Sequence, residues 1–167
     1  LNQLFVFTNS RKIREFNASF NDELIPKSLS IAEFYKKAIF VNGRFECDST
    51  YALVLMNRAC ASVKEANSVL KIPTEFFEFL KNNDYLFSFF KELAISKKSI
   101  EEIKFNDIYA DFEEHLSILE AVLKEYESLL DKEDLYDDIT LPKIYSINEA
   151  YIKSFSEISL HIDGILI

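Results

Sequence analysis

The loop Thr8-Asn9-Ser10-Arg11-Lys12 joins an apolar run, Leu4-Phe5-Val6-Phe7, to a segment with helical spacing at Ile13, Phe16 and Phe20. A buried strand feeding a helix through a tight loop is where many α/β proteins hold phosphate, because the first amides of a helix point outward unpaired. A nucleotide loop of the G-x-x-x-x-G-K-S/T type would belong here. The stretch has no glycine. Nothing lets its backbone wrap a triphosphate, so ATP binding is not expected of it. Ser10, Arg11, Lys12 and Arg14 instead form a small polar and basic cluster at a helix start. Such a cluster can contact nucleic-acid phosphates. The alternative is a set of solvated charges.

Other chemistry is sparse. His161 and Asp163 lie two residues apart in a terminal strand, on one face, and a His/Asp pair can do acid–base work or bind metal. Neither a nucleophile motif nor a third ligand accompanies them, so a polar strand end is the simpler reading. His115 stands beside Glu113 and Glu114 without a second ligand set one turn away. Cys47 and Cys60 have no metal or disulfide spacing, which suits a reducing cytoplasm. Cys60 falls in an apolar helix as filler. No catalytic residue, cofactor or metal site is expected in this chain.

The 167 residues carry a net charge of −9, unevenly spread: about +1 over residues 1–50 and about −11 over 101–140. Bulk attraction for nucleic acid is excluded, and a local basic site would be needed. The acidic block reads as a solvated helix face. Half the residues are apolar, with 16 Phe, 2 Gly and 3 Pro, which favours long helices over turn-rich all-β folds. No apolar run is long enough to span a membrane. The chain begins with Leu and ends in mid-pattern at Ile165-Leu166-Ile167, which predicts a piece of a longer protein.

These residues need elements to position them. Leu4–Phe7 reads as a buried strand and Arg11–Phe20 as a helix capped by Asn9 or Ser10. Asn21-Asp22-Glu23 reads as a turn and Leu24–Ser30 as extended. Ser30 with Glu33 has the spacing of a capping box opening a helix to Ile39. A turn at Val41–Arg44 leads to Asp48 or Ser49, which caps a helix over 50–70. Thr74 caps a Phe-rich element, Phe76 to Leu93, interrupted at 82–84. Its rings could stack bases, but only Lys81 and Lys91 lie between them, so core packing is preferred. After a break at 97–99 and a turn near Asn106-Asp107, the longest helix runs to Leu130. Phe105, Tyr109, Phe112, Leu116, Leu119, Leu123, Tyr126 and Leu130 form a heptad seam along it. The seam serves either a hairpin on the Phe-rich helices or a dimer interface. An acidic loop at 132–138, an extended 141–145, a helical turn at 148–152 and a strand at 156–165 close the chain. Parallel strands need crossovers, so the terminal strands should share one small parallel sheet. The fold class is therefore α/β and predominantly helical. The sheet domain is 1–48 with 140–167, and 49–139 is an inserted helical subdomain.

Phe5 to Lys12 followed by Ile25-Pro26-Lys27-Ser28-Leu29-Ser30-Ile31-Ala32-Glu33-Phe34 resembles the start of AddB-type subunits of AddAB helicase–nucleases. In that family an opening strand enters a P-S-R-like turn, here Asn9-Ser10-Arg11. A proline-led segment then ends in E-F, here Pro26 to Phe34. Glu113-Glu114-His115-Leu116 and Leu135-Tyr136-Asp137 are similar in layout. The resemblance implies the N-terminal, RecA-like, helicase-like region of a longer DNA-repair subunit whose parent is an ATP-dependent helicase/exonuclease. It implies an inactivated ATP site, a partner AddA-type subunit, and DNA bound through the full complex. The family's nuclease and iron–sulfur residues have no counterpart here, so Cys47 and Cys60 inherit no role.

Overall fold

The computed structural model describes residues 2–20, 24–81, 83–104 and 112–161. The chain divides into two compact units, Leu1–Asn42 with Tyr145–Ile167, and Gly43–Ile144. The expected turn at 21–23, the turn near Asn106-Asp107, the seam positions Phe105 and Tyr109, and Asp163 lie outside the described residues.

The first unit is built on a three-stranded parallel sheet. Strand β1 (Gln3–Phe7) is central, flanked by β2 (Lys27–Ser30) and β7 (Glu157–His161). The expectation of a small parallel sheet joining the chain ends in a predominantly helical α/β fold is met. Parallel sheets are buried on both faces, which is why β1 reads as a continuous apolar run rather than an alternation. Leu4 and Val6 meet Phe155, Phe34 and Tyr151 on one face. On the other, Phe5 and Phe7 each sit 4.9 Å, ring to ring, from Phe16. Phe16 belongs to helix α1 (Ser10–Asn17), while Phe34 belongs to α2 (Ile31–Ala38) and Tyr151 to α10 (Glu149–Lys153). The sheet is thus covered by α1 on one face and by α2 and α10 on the other.

The Ser30/Glu33 capping box forms as read. The Glu33 amide donates to the Ser30 hydroxyl, and the Ser30 amide donates back to the Glu33 carboxylate at 2.9 Å; that amide first and the Ser30 hydroxyl second, donating at 2.8 Å, hold the carboxyl below its usual range. Two short strands, β3 (Ile39–Phe40) and β6 (Ser146–Ile147), pair antiparallel at the border of this unit.

The second unit is helical. Its buried core joins Leu55, Met56 and Cys60 of α3 (Ser49–Ser62), Phe79 of α5 (Phe76–Leu80), and Leu86 and Phe90 of α6 (Asp84–Ser96). Leu116, Val122, Tyr126 and Leu130 of α8 (Glu113–Lys132) complete it. Asp48 caps α3 through the Thr50 amide. Gly43 makes its turn at φ +69°. The unit reaches beyond 49–139 at both ends because β4 (Phe45–Glu46) pairs in parallel with β5 (Leu135–Tyr136), and α9 (Leu141–Ile144) packs on α6.

Four local expectations are corrected. The helix expected over 50–70 breaks at Val63 and resumes as α4 (Lys64–Ser68), because the Ser62 hydroxyl takes the Ala59 carbonyl at 2.8 Å. That carbonyl would have accepted the Val63 amide. Glu75, not Thr74, caps α5 through the Glu78 amide. The acidic loop at 132–138 contains β5. Residues 141–144 are helical rather than extended, because Asp137 seeds the turn: its side chain accepts the Ile139 and Thr140 amides, both at 3.1 Å, and its carbonyl accepts the Leu141 amide. Proline at the following position fits a first helical turn.

Helix α8 packs most extensively along α3, with α4 and α7 (Ile100–Lys104) beside it, so the Phe-rich helices are not its chief partner. The seam residues Leu116, Tyr126 and Leu130 are buried in this core, and Ile118 and Val122 widen the stripe beyond a heptad. From Leu116 onward the seam positions are buried or half-buried against this core.

Candidate functional site

Open parallel sheets bind ligands at the carboxyl ends of their strands, where successive helices leave to opposite faces. Here α1 follows β1 onto one face and α2 follows β2 onto the other, and the carboxyl edge of the sheet is at Phe7, Ser30 and His161. Thr8, Asn9 and Ser10 leave β1 at that edge.

The α1 N-terminus is closed by its own sequence. The Lys12 amide donates to the Asn9 side-chain oxygen at 3.1 Å, and the Ile13 amide reaches the Asn9 carbonyl at 3.4 Å. An amide that a phosphate-binding loop would offer to a ligand is therefore occupied by a side chain. The absence of glycine and the presence of asparagine act in the same direction: the loop is a cap rather than a cradle.

Ser10, Arg11, Lys12 and Arg14 are all exposed on α1. Arg11 pairs with Glu15 at 2.9 Å, and Lys12 lies 3.9 Å from the same carboxylate. Arg14 makes no ion pair among the described residues. The four residues share one short helix, as the sequence spacing implied. Two of the three cations share a carboxylate, and the i,i+4 spacing of Arg11 and Glu15 is the sequence signal for it.

His161 is exposed at the end of β7, and its expected partner Asp163 lies outside the described residues. Its ring stacks on Phe7 at 4.9 Å and 16°, with Phe5 at 5.9 Å and Phe16 at 6.2 Å, extending the aromatic layer beneath α1. His115 is exposed, with Phe112 its ring neighbour at 6.1 Å. Among the described residues no group of three or more His, Cys, Asp or Glu is placed to hold a metal. Cys47 and Cys60 are free and buried; burial pushes the Cys60 thiol to about 12. Lys81 and Lys91 are paired with Glu78 and Asp138; Phe79, Leu86 and Phe90 of the Phe-rich element are fully buried in the core, whereas Phe77 is exposed. No helix among the described residues is long and apolar enough to cross a membrane.

Compared with family models, with curated proteins and with solved structures, the chain finds no match.

Proposed function

We propose that this chain is a non-catalytic helicase-like module, an inactivated RecA-like sheet with a helical insertion, from a cytoplasmic AddB-type subunit. It acts in DNA double-strand break processing as a scaffold for an AddA-type partner, with Ser10, Arg11, Lys12 and Arg14 guiding single-stranded DNA. The observation that carries the reading is the β1–α1 loop. It occupies the place of a nucleotide loop at the carboxyl edge of a parallel sheet, yet it lacks glycine and gives the Lys12 amide to Asn9. The resemblance of Asn9-Ser10-Arg11 and Pro26–Phe34 to that family supplies the biological setting.

Calorimetric titration with ATP and magnesium tests the inactivated site. No saturable heat is expected, and micromolar binding would sink the reading. For the guide role, anisotropy of a labelled oligothymidylate bound by the full two-subunit complex should show a salt-dependent component that Arg11→Ala with Lys12→Ala weakens. An unchanged affinity and salt slope would reduce these residues to surface charge.

A further inference from the structure

A cleft of about 400 Å³ lies in the helical unit, lined by the end of α6 and by α7, α8 and α9. That volume is within the range of ligand pockets, roughly 300–1,000 Å³. Its apolar lining includes the buried Leu93 and Ile139 with the half-buried Leu123 and Pro142, and charged side chains, among them the exposed Lys97 and Lys98, complete it. The acids there are already engaged. Glu120 accepts from Lys104 at 2.7 Å and from Lys124, Glu127 takes Lys143, and Glu101 lies 3.9 Å from Lys124. Lys97 and Lys98 make no ion pair among the described residues. The spare charge in the lining is therefore positive, in a chain whose net charge is −9.

Lys97 stands at the α6 C-terminus in the left-handed conformation, φ 52° and ψ 36°, and the Lys98 amide closes the helix on the Leu93 carbonyl at 3.1 Å. Glycine takes that position without strain, whereas a lysine there lines the cleft against a conformational cost. The one aromatic lining residue among those described, Phe90, is fully buried and offers no face on which a base could stack. The occupant that fits is apolar in its body and anionic at its edge.

We propose that this cleft docks an acidic peptide segment of a partner protein, whose apolar side chains meet the apolar lining while flanking carboxylates meet Lys97 and Lys98. The inference is independent of the DNA reading and of the AddB-type resemblance. A fluorescein-labelled decapeptide of alternating Asp and Leu serves as the probe for the 167-residue protein, read by anisotropy. Saturable binding is expected, weakened at least tenfold by Lys97→Gly with Lys98→Ser. The melting temperature of that variant should not fall, because glycine relieves the left-handed cap, so lost binding cannot be charged to unfolding. A peptide with Lys in place of Asp should not bind. Absence of saturable binding, or equal affinity of the variant, overturns the proposal. So does tighter binding of oligothymidylate or laurate that the same variant loses, since either would name a different occupant.

Discussion

Glu120 ties the stability of the helical unit to acid pH. Its side chain is 15% exposed and accepts from Lys104, itself 19% exposed, at 2.7 Å, while Lys124 holds the other oxygen. Lys104 first and Lys124 second hold the carboxyl down to about 2, from an ordinary value of 4.5. A carboxyl depressed on folding contributes stability that is complete above about pH 4.5 and is lost as the pH falls towards 2. At about 1.4 kcal/mol per pH unit, that depression bounds the linked stability at about 3 kcal/mol. Lys124 is 69% exposed, so solvent screens its share. A contribution of about 1–2 kcal/mol remains. The perturbation is Glu120→Gln, which keeps the shape and removes the charge. Urea unfolding followed by helical circular dichroism should place the variant below wild type at pH 6. The midpoint gap should be roughly 0.5–1 M, taking a slope of about 2 kcal/mol per M. By pH 3 less than about half of that gap should survive, because most of the wild-type charge advantage has been titrated away. Parallel pH profiles for the two proteins would refute the assignment of this acid sensitivity to Glu120.

Three further outcomes follow from single residues. Gly43→Ala should lower stability by about 1 kcal/mol in urea unfolding, from backbone strain alone, since no atom lies within 4 Å of the added carbon at φ +69°. Tyr151→Phe should leave stability unchanged or raise it by about 1 kcal/mol, because the Tyr151 hydroxyl is buried without a hydrogen-bond partner among the described residues; a clear loss would reveal a partner. A thiol-specific chromogenic reagent at pH 8 should label neither cysteine while the protein is folded, since burial raises both Cys47 and Cys60, and should label both in urea. Rapid native labelling would contradict their burial.

What the sequence made legible was what depends on local pattern. The apolar run Leu4–Phe7, the Ser30/Glu33 spacing and the Asp48 cap each specify an element without help from distant residues. The parallel sheet followed from a topological rule applied to the chain ends. The break at Val63 was hidden because it turns on one hydroxyl, Ser62, competing for one carbonyl. The helical turn at 141–144 was hidden because Leu141-Pro142 reads as extended until Asp137 is seen gathering the amides of residues 139 and 140. The chief partner of α8 was misjudged because adjacency in sequence favoured the Phe-rich helices, whereas the broad buried stripe of α3 offered the longer matching surface. At the candidate site the residue types are visible in the sequence, but the sharing of Glu15 by Arg11 and Lys12 depends on side-chain rotamers that spacing alone does not set. The cleft behind Lys97 and Lys98 combines α6, α7, α8 and α9, and no window of sequence contains all four.

The size of the basic cluster limits what it can do for DNA. Three cations displacing counterions from a single strand give a salt slope of about −2. Raising salt from 50 to 200 mM would then weaken binding by roughly twentyfold, against about 10³–10⁵ for proteins that make six to ten phosphate contacts. Glu15 draws on two of the three cations, so the realised slope must be shallower still. A surface this small on a chain of net charge −9 cannot capture DNA from solution. It can bias the path of a strand that another subunit already holds, since α1 packs on β1 through Phe16 and so fixes where the charges sit. A guide role therefore demands a partner that supplies the affinity. Arg11→Ala with Lys12→Ala should consequently change strand positioning in such an assembly more than it changes total binding.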